Sequence, residues 1–174
     1  QVFKSPDEVY NMANIYLGKP FCSEDAEDAK AVQALFEGQK PFVVTYNSEN
    51  QNDNLANGTS IMANNWNGFS MRARMDSKTD IHYAYPKEGV VGWFDSACVP
   101  VGAKNAENAK KFLDFIMKPE NIALQSNYAR YSNAIAGSEA FMDKDLAEAD
   151  ELKVPESVPV KFGQACSPAA QKLI

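Results

Sequence analysis

Asp95 lies in the run "GWFDSACVP", residues 92–100, two positions after Trp93 and next to Phe94, where the chain otherwise reads as a mostly buried strand. A carboxylate at the mouth of an apolar strand is costly unless a cation completes it. The other tryptophan is Trp66, in "NNWNG", and each of the two stands close to a glycine at the end of an expected strand. In open α/β sheets such strand ends are where ligands are held. An indole face attracts a cation by about 0.5–2 kcal/mol, more as water is excluded. Two indoles can therefore sandwich an aliphatic stem carrying an ammonium group, which Asp95 would neutralise through a charge-assisted hydrogen bond held away from water. A plainer reading makes both tryptophans core residues and lets Asp95 cap the turn before Pro100. Spacing alone leaves both open. Glu8 is equally ambiguous, because its position three after Ser5 fits a capping box and only a second partner would make it a ligand residue.

These residues need elements to hold them. "SPDEVYNMANIYLG" predicts a helix with Ser5 as cap, Pro6 in the first position, Val9, Met12, Ala13 and Tyr16 on one face, and Gly18 at its end. "SEDAEDAKAVQALFEGQK" predicts a second helix, capped by Ser23, with Ala29, Val32, Leu35 and Phe36 as its buried stripe. "PFVVTYN", "TSIMANNW", "DIHYAYP" and "VVGWFDSACVP" read as strands. A short helical piece is expected in "ENQNDNLANG" and another through "GFSMRARM", with a turn at "KEG". A helix capped by Asn105 carries Ala109, Phe112, Leu113 and Ile116 on one face, and Pro119 opens the next. From Gly137 onward short acidic helices alternate with proline turns. Strands alternating with helices indicate an α/β layer architecture.

Composition narrows the function. The 174 residues contain 45% hydrophobic residues and carry a net charge of −6, with acids spread along the length. That balance argues against nucleic acid, whose affinity comes from clustered Lys and Arg, and is compatible with a cationic ligand, although most acidic proteins bind nothing cationic. Neither a stretch of about 20 apolar residues nor a charged-then-apolar leader is present in the sequence. With one histidine, His82, and three scattered cysteines, a structural zinc site is not expected. Cys22, Cys98 and Cys166 allow one bridge, between an unspecified pair. No nucleophile–base constellation, GxSxG, HExxH or phosphate loop occurs, so no catalytic residue, cofactor or enzyme activity is expected. The chain begins at "QVF" and stops inside a helix opened by Ser167 and Pro168, and it reads as a portion of a longer protein.

Taken in order, "SPDEVY…YLG", "YNS…NDNLANG", "NNWNG", "YPKEG…WFDS…VPVGAKNAENAKKFLDFIMKPEN" and "NYARYSNA" resemble the C-terminal half of periplasmic spermidine/putrescine-binding proteins, the receptors of polyamine ABC importers. The resemblance implies an α/β, two-lobed periplasmic-binding-protein-like fold of which this chain is an incomplete, C-terminal portion. Residues 1–92 would belong to the second lobe, residues 93–144 would return to the first, and residues 145–174 would form a second-lobe and hinge tail. It implies a cleft lined by Glu8, Trp66, Trp93, Asp95, Tyr131 and, on a looser match, Gln164. It further implies capture of spermidine or putrescine, delivery to permease subunits, and residence in the periplasm or on a lipid-anchored exterior. The N-terminal half would be needed to complete the cleft, and without it the fragment is expected to self-associate. Phe69 stands where some members carry a second acid, and Ser5 where some carry aspartate, which leaves the choice between spermidine and putrescine open. The competing readings are a receptor of the same fold for another small solute, and a truncated scaffold without a working cleft.

Overall fold

Helix α1 (Pro6–Tyr16) forms where the sequence predicts it, with Pro6 opening its first turn, but Ser5 precedes it without a side-chain cap. Helix α2 (Ala26–Gln39) begins at Asp25, whose carboxylate accepts from the Glu27 amide at 2.8 Å. The expected cap, Ser23, is occupied elsewhere: its hydroxyl donates to Asp28 at 2.6 Å and accepts from the Asp25 amide. Tyr10 and Ala13 of α1 pack on Val32 of α2, with Leu17, Ala29, Leu35 and Phe36 closing over them. The stripe expected for α2 is therefore the core stripe. Lys19 and Asp28 clamp this helical pair at 2.7 Å. The hydrogen bond from Lys19, then that from Ser23, holds the Asp28 carboxyl below its ordinary range, and Asp28 in turn raises Lys19.

The computed structural model describes every residue except Thr79 and Gln164. Its further elements are α3 (Gln51–Ala56), α4 (Asn67–Asp76), β1 (Val90–Gly92), α5 (Ala106–Ile116), α6 (Pro119–Ala129), α7 (Lys144–Ala147), β2 (Val160–Phe162) and α8 (Pro168–Gln171). Short 3-10 turns cover Lys40–Phe42, Ser138–Phe141 and Asp150–Leu152. The helices expected in the "QNDNLA" and "GFSMRARM" segments and around Asn105, Pro119 and Pro168 are all present, and Ser167 caps α8 by accepting from the Ala170 amide.

The strands are where the sequence misleads. Of the four expected, only "VVG" pairs, and it does so in parallel with β2, in a segment read as proline turns. Val90 donates to the Pro159 carbonyl and Gly163 to that of Gly92, both at 2.9 Å. The approach is close enough to select glycine: a Cβ at Gly89 (φ 129°) would meet the Pro159 carbonyl at 2.8 Å, and one at Gly92 would meet Val160 at 2.9 Å. "PFVVTYN" contributes one isolated bridge, Val2 to Tyr46, and "TSIMANNW" and "DIHYAYP" are irregular. Residues 93–98, expected within a buried strand, are exposed and irregular. β-branched and aromatic residues favour a pleated, half-buried surface, yet a strand exists only through a neighbour's hydrogen bonds. Among the described residues no such neighbour pairs with these segments beyond those named.

Two compact units result, residues 1–93 with 154–174, and residues 94–153. In the first, a disulfide joins Cys22 to Cys166 across a separation of 144 residues, with the Cα atoms 5.2 Å apart; Cys98, in the second, is free and exposed. Asn11, buried on α1, orients the bridge by accepting from the Cys22 amide at 2.7 Å. In the second unit, Ala123 of α6, Leu146 of α7 and Ala149 are the buried apolar residues. Arg130, left-handed at the end of α6 (φ 65°), reaches Asp143 at 3.4 Å and Asp145 at 3.3 Å.

A carboxylate, an aromatic ladder and a guanidinium

The site grows from the first residues of the chain. Val2 donates to the Thr45 carbonyl and accepts from the Asn47 amide, while Lys4 N donates to the Ser48 hydroxyl. Asn64 N donates to the Gln1 carbonyl, which laces residues 1–4 between residues 45–48 and the segment leading to α4. Gln51, fully buried on α3, fixes that segment by donating to the Asn64 carbonyl at 2.6 Å. Phe3 is thereby buried beside Trp66, with ring centroids 4.8 Å apart and planes inclined by 30°.

Trp66 precedes α4, so residues 66, 69 and 72 fall three apart along one side of it. Trp66 meets Phe69 edge to face at 5.4 Å, and the guanidinium carbon of Arg72 lies 4.2 Å from the Phe69 ring centroid. At the other end, the Trp66 indole N–H donates to Glu8 Oε1 at 3.4 Å. Glu8 thus meets Trp66 instead of making the capping-box contact expected for it. The contact is long for such a bond and leaves most of the carboxylate's accepting capacity unused.

Arg72 was not anticipated from the sequence, although its three-residue spacing from Phe69 and Trp66 on a helix was the available signal. Phe3 carried none, since long-range bonds of its neighbours to residues 45–48 and 64 bring it here. The Arg72 Nε is buried without a hydrogen-bond partner, and no described carboxylate lies within ion-pair distance of the side chain. A cation over a ring is worth about 0.5–1 kcal/mol at an exposed site. A buried unsatisfied donor costs about 1–3 kcal/mol, so stacking on Phe69 does not offset the loss.

The remaining expected residues lie elsewhere. Trp93 ends the segment of β1 in the first unit and is 43% exposed. Asp95 and Tyr131 belong to the second unit. Asp95 is exposed and has no hydrogen bond or ion pair among the described residues, so the dry setting expected for it is not supplied by this chain. Tyr131 is half-buried just beyond α6. Gln164 lies outside the described residues. His82 pairs with Asp80 at the surface. Among the described residues no group of His, Cys, Asp and Glu could hold a metal, and no helix is long and apolar enough to cross a membrane.

The profile of the bacterial extracellular solute-binding proteins matches residues 2–154. The chain is 34% identical over 160 residues to the spermidine/putrescine-binding periplasmic protein of Salmonella typhimurium, an alignment covering 90% of the chain and 44% of that protein. It is 28% identical to the putrescine-binding periplasmic protein SpuD of Pseudomonas aeruginosa and 28% to the putrescine-binding periplasmic protein PotF of Escherichia coli. Each of these alignments covers 91% of the chain and 44% of the relative. The chain therefore spans less than half the length of these relatives, and its mixed helix and sheet is that of a partial periplasmic-binding-protein fold.

Proposed function

The chain belongs to the family of bacterial extracellular solute-binding proteins, and from that premise we propose that it is part of a receptor capturing linear polyamines, spermidine or putrescine, for import by an ABC transporter. The observation that carries this reading is the Glu8–Trp66 pair, a carboxylate with spare acceptor capacity at the edge of an indole that Phe3 backs. An ammonium group is the partner that such a pair suits, through charge at the carboxylate and the ring quadrupole at the indole face. The relatives' polyamine ligands support the same class. Trp93, Asp95, Tyr131 and Gln164 complete the cleft in this reading, and the exposed Asp95 gains its partner from the ligand.

Residues 1–92 and the tail from 145 form the second lobe, residues 93–144 return to the first, and the remainder of the protein supplies the rest of that lobe. Permease subunits receive the loaded receptor. The Cys22–Cys166 bridge favours an oxidising compartment such as the periplasm, whether the protein is free or lipid-anchored.

Calorimetry of the complete protein with putrescine and spermidine tests the proposal. Saturable binding is expected, with Glu8→Gln and Asp95→Asn each losing about 1.5–3 kcal/mol, the range for hydrogen bonds to charged groups. A folded complete protein that binds neither amine is a scaffold without a working cleft, and the proposal then fails.

A further inference from the structure

Strand β2 has little of its own to hold it in place. All three of its residues are exposed, and among the described residues its ladder is made with β1 alone. A lone two-stranded ladder is marginal in water. Yet the contact just beyond it falls at a consequential place: the Gly163 amide donates at 2.9 Å to the carbonyl of Gly92, the oxygen of the peptide that joins Gly92 to Trp93. That peptide is planar, so fixing its oxygen fixes the direction in which Trp93 leaves β1.

The Cys22–Cys166 bridge supplies the missing anchor. Cys166, 5% exposed, comes four positions after Phe162, and four residues of chain span at most about 14 Å, so the end of β2 cannot stray far from the bridge. The bridge in turn is fastened to α1, which adjoins β1. Asn11 of α1 accepts from the Cys22 amide at 2.7 Å and donates to Cys166 Sγ at 3.4 Å, and the Tyr10 hydroxyl donates to the Ser23 carbonyl at 3.2 Å. Ser167 adds a bond to Glu24 at 2.5 Å, and Ala170 of α8 is fully buried. Without the bridge, the only covalent path from β2 back to β1 runs through residues 93–159.

We propose that the Cys22–Cys166 disulfide positions Trp93 for ligand capture: it holds the segment after β2 beside α1, keeps the Gly163 amide on the Gly92 carbonyl and thereby orients the indole. The inference rests on the preceding reading that Trp93 lines a polyamine cleft, and it adds the residues that aim it. Cys22, Cys166 and Gly163 act through Trp93 and touch no ligand themselves.

The test is calorimetry of the complete protein with putrescine and spermidine, at a temperature well below the melting point of every variant. Cys22→Ala with Cys166→Ala should weaken binding about tenfold, within what a desolvated cation over an indole carries. Gly163→Pro, which removes the N–H while Phe162 before it is already extended, should do the same. Gly163→Ala keeps the donor, and its Cβ would meet only ordinary contacts, the nearest at 3.5 Å, so it should lose markedly less. Because all act through one side chain, each loss should vanish in a Trp93→Ala background, and the cysteine and proline changes together should cost no more than either alone. Unchanged affinity in the folded cysteine variant, or a loss that persists undiminished beside Trp93→Ala, overturns the inference while the receptor reading stands. Binding of neither amine by the folded wild type removes both. If the cysteine variant fails to fold, the contrast between Gly163→Pro and Gly163→Ala decides.

Discussion

The two units of this chain are held together in different ways. The first, residues 1–93 with 154–174, has a helical core between α1 and α2, a partly exposed ion pair between Lys19 and Asp28, a polar lacing around residues 1–4 and a covalent link from Cys22 to Cys166. The second, residues 94–153, buries few apolar side chains, and α5 buries none of its residues, leaving Phe112 62% and Phe115 56% exposed. Leu124, Tyr128 and Phe141 are also exposed there. Yet α5 is as clearly two-sided in sequence as α2. The difference is that α2 has α1 to pack against, whereas the apolar face of α5 needs a partner beyond this stretch of chain. A chain spanning less than half its relatives' length offers an occupant, and the remaining part of the same protein is the one we propose.

That contrast can be broken in order of size. Cys22→Ala with Cys166→Ala should cost the first unit about 2–5 kcal/mol by freeing a very long loop. Hydrogen exchange followed by mass spectrometry should show faster exchange in α1, α2 and α8 while α6 and α7 keep their rates; equal acceleration in both units would mean that they do not unfold separately. Leu146→Ala, at the centre of the second unit, should cost about 2–4 kcal/mol and reverse that pattern.

A smaller effect follows from Asp28. Because its carboxyl is held below the ordinary 3.8 in the fold, its contribution is fully in place above that pH and is lost as pH falls through the lowered folded-state value. The melting-temperature gap between wild type and Asp28→Asn should therefore narrow below about pH 3.8; a constant gap would show that the Lys19 contact adds nothing. Smallest of all, Phe112→Gln should change stability by less than about 0.5 kcal/mol, since an exposed side chain has little packing to lose. Sedimentation should show the 174-residue chain self-associating and Phe112→Gln relieving it, with the complete protein monomeric. A strictly monomeric wild-type fragment would count against the covered-face reading.

How much could be read in advance depended on whether an interaction is local. The core stripe of α2 and the proline-opened starts of α1, α6 and α8 were legible, because caps and helical faces involve residues within a turn or two of one another. The strands at "PFVVTYN", "TSIMANNW" and "DIHYAYP" were not, because pairing depends on which distant segment arrives alongside, and β2 was missed for the same reason. Ser23 was expected as a cap and instead serves Asp28, a competition that sequence order does not rank.

Sequence alone determined the helices, the acidic balance and, through ordered motifs, the likeness to polyamine receptors. Tertiary structure decided which cysteines pair, that Glu8 meets Trp66 rather than capping α1, and that Arg72 ends an aromatic ladder begun by Phe3. Each of these joins residues brought together by the packing of whole elements, and packing is set by the sum of many weak contacts that no short stretch of sequence contains.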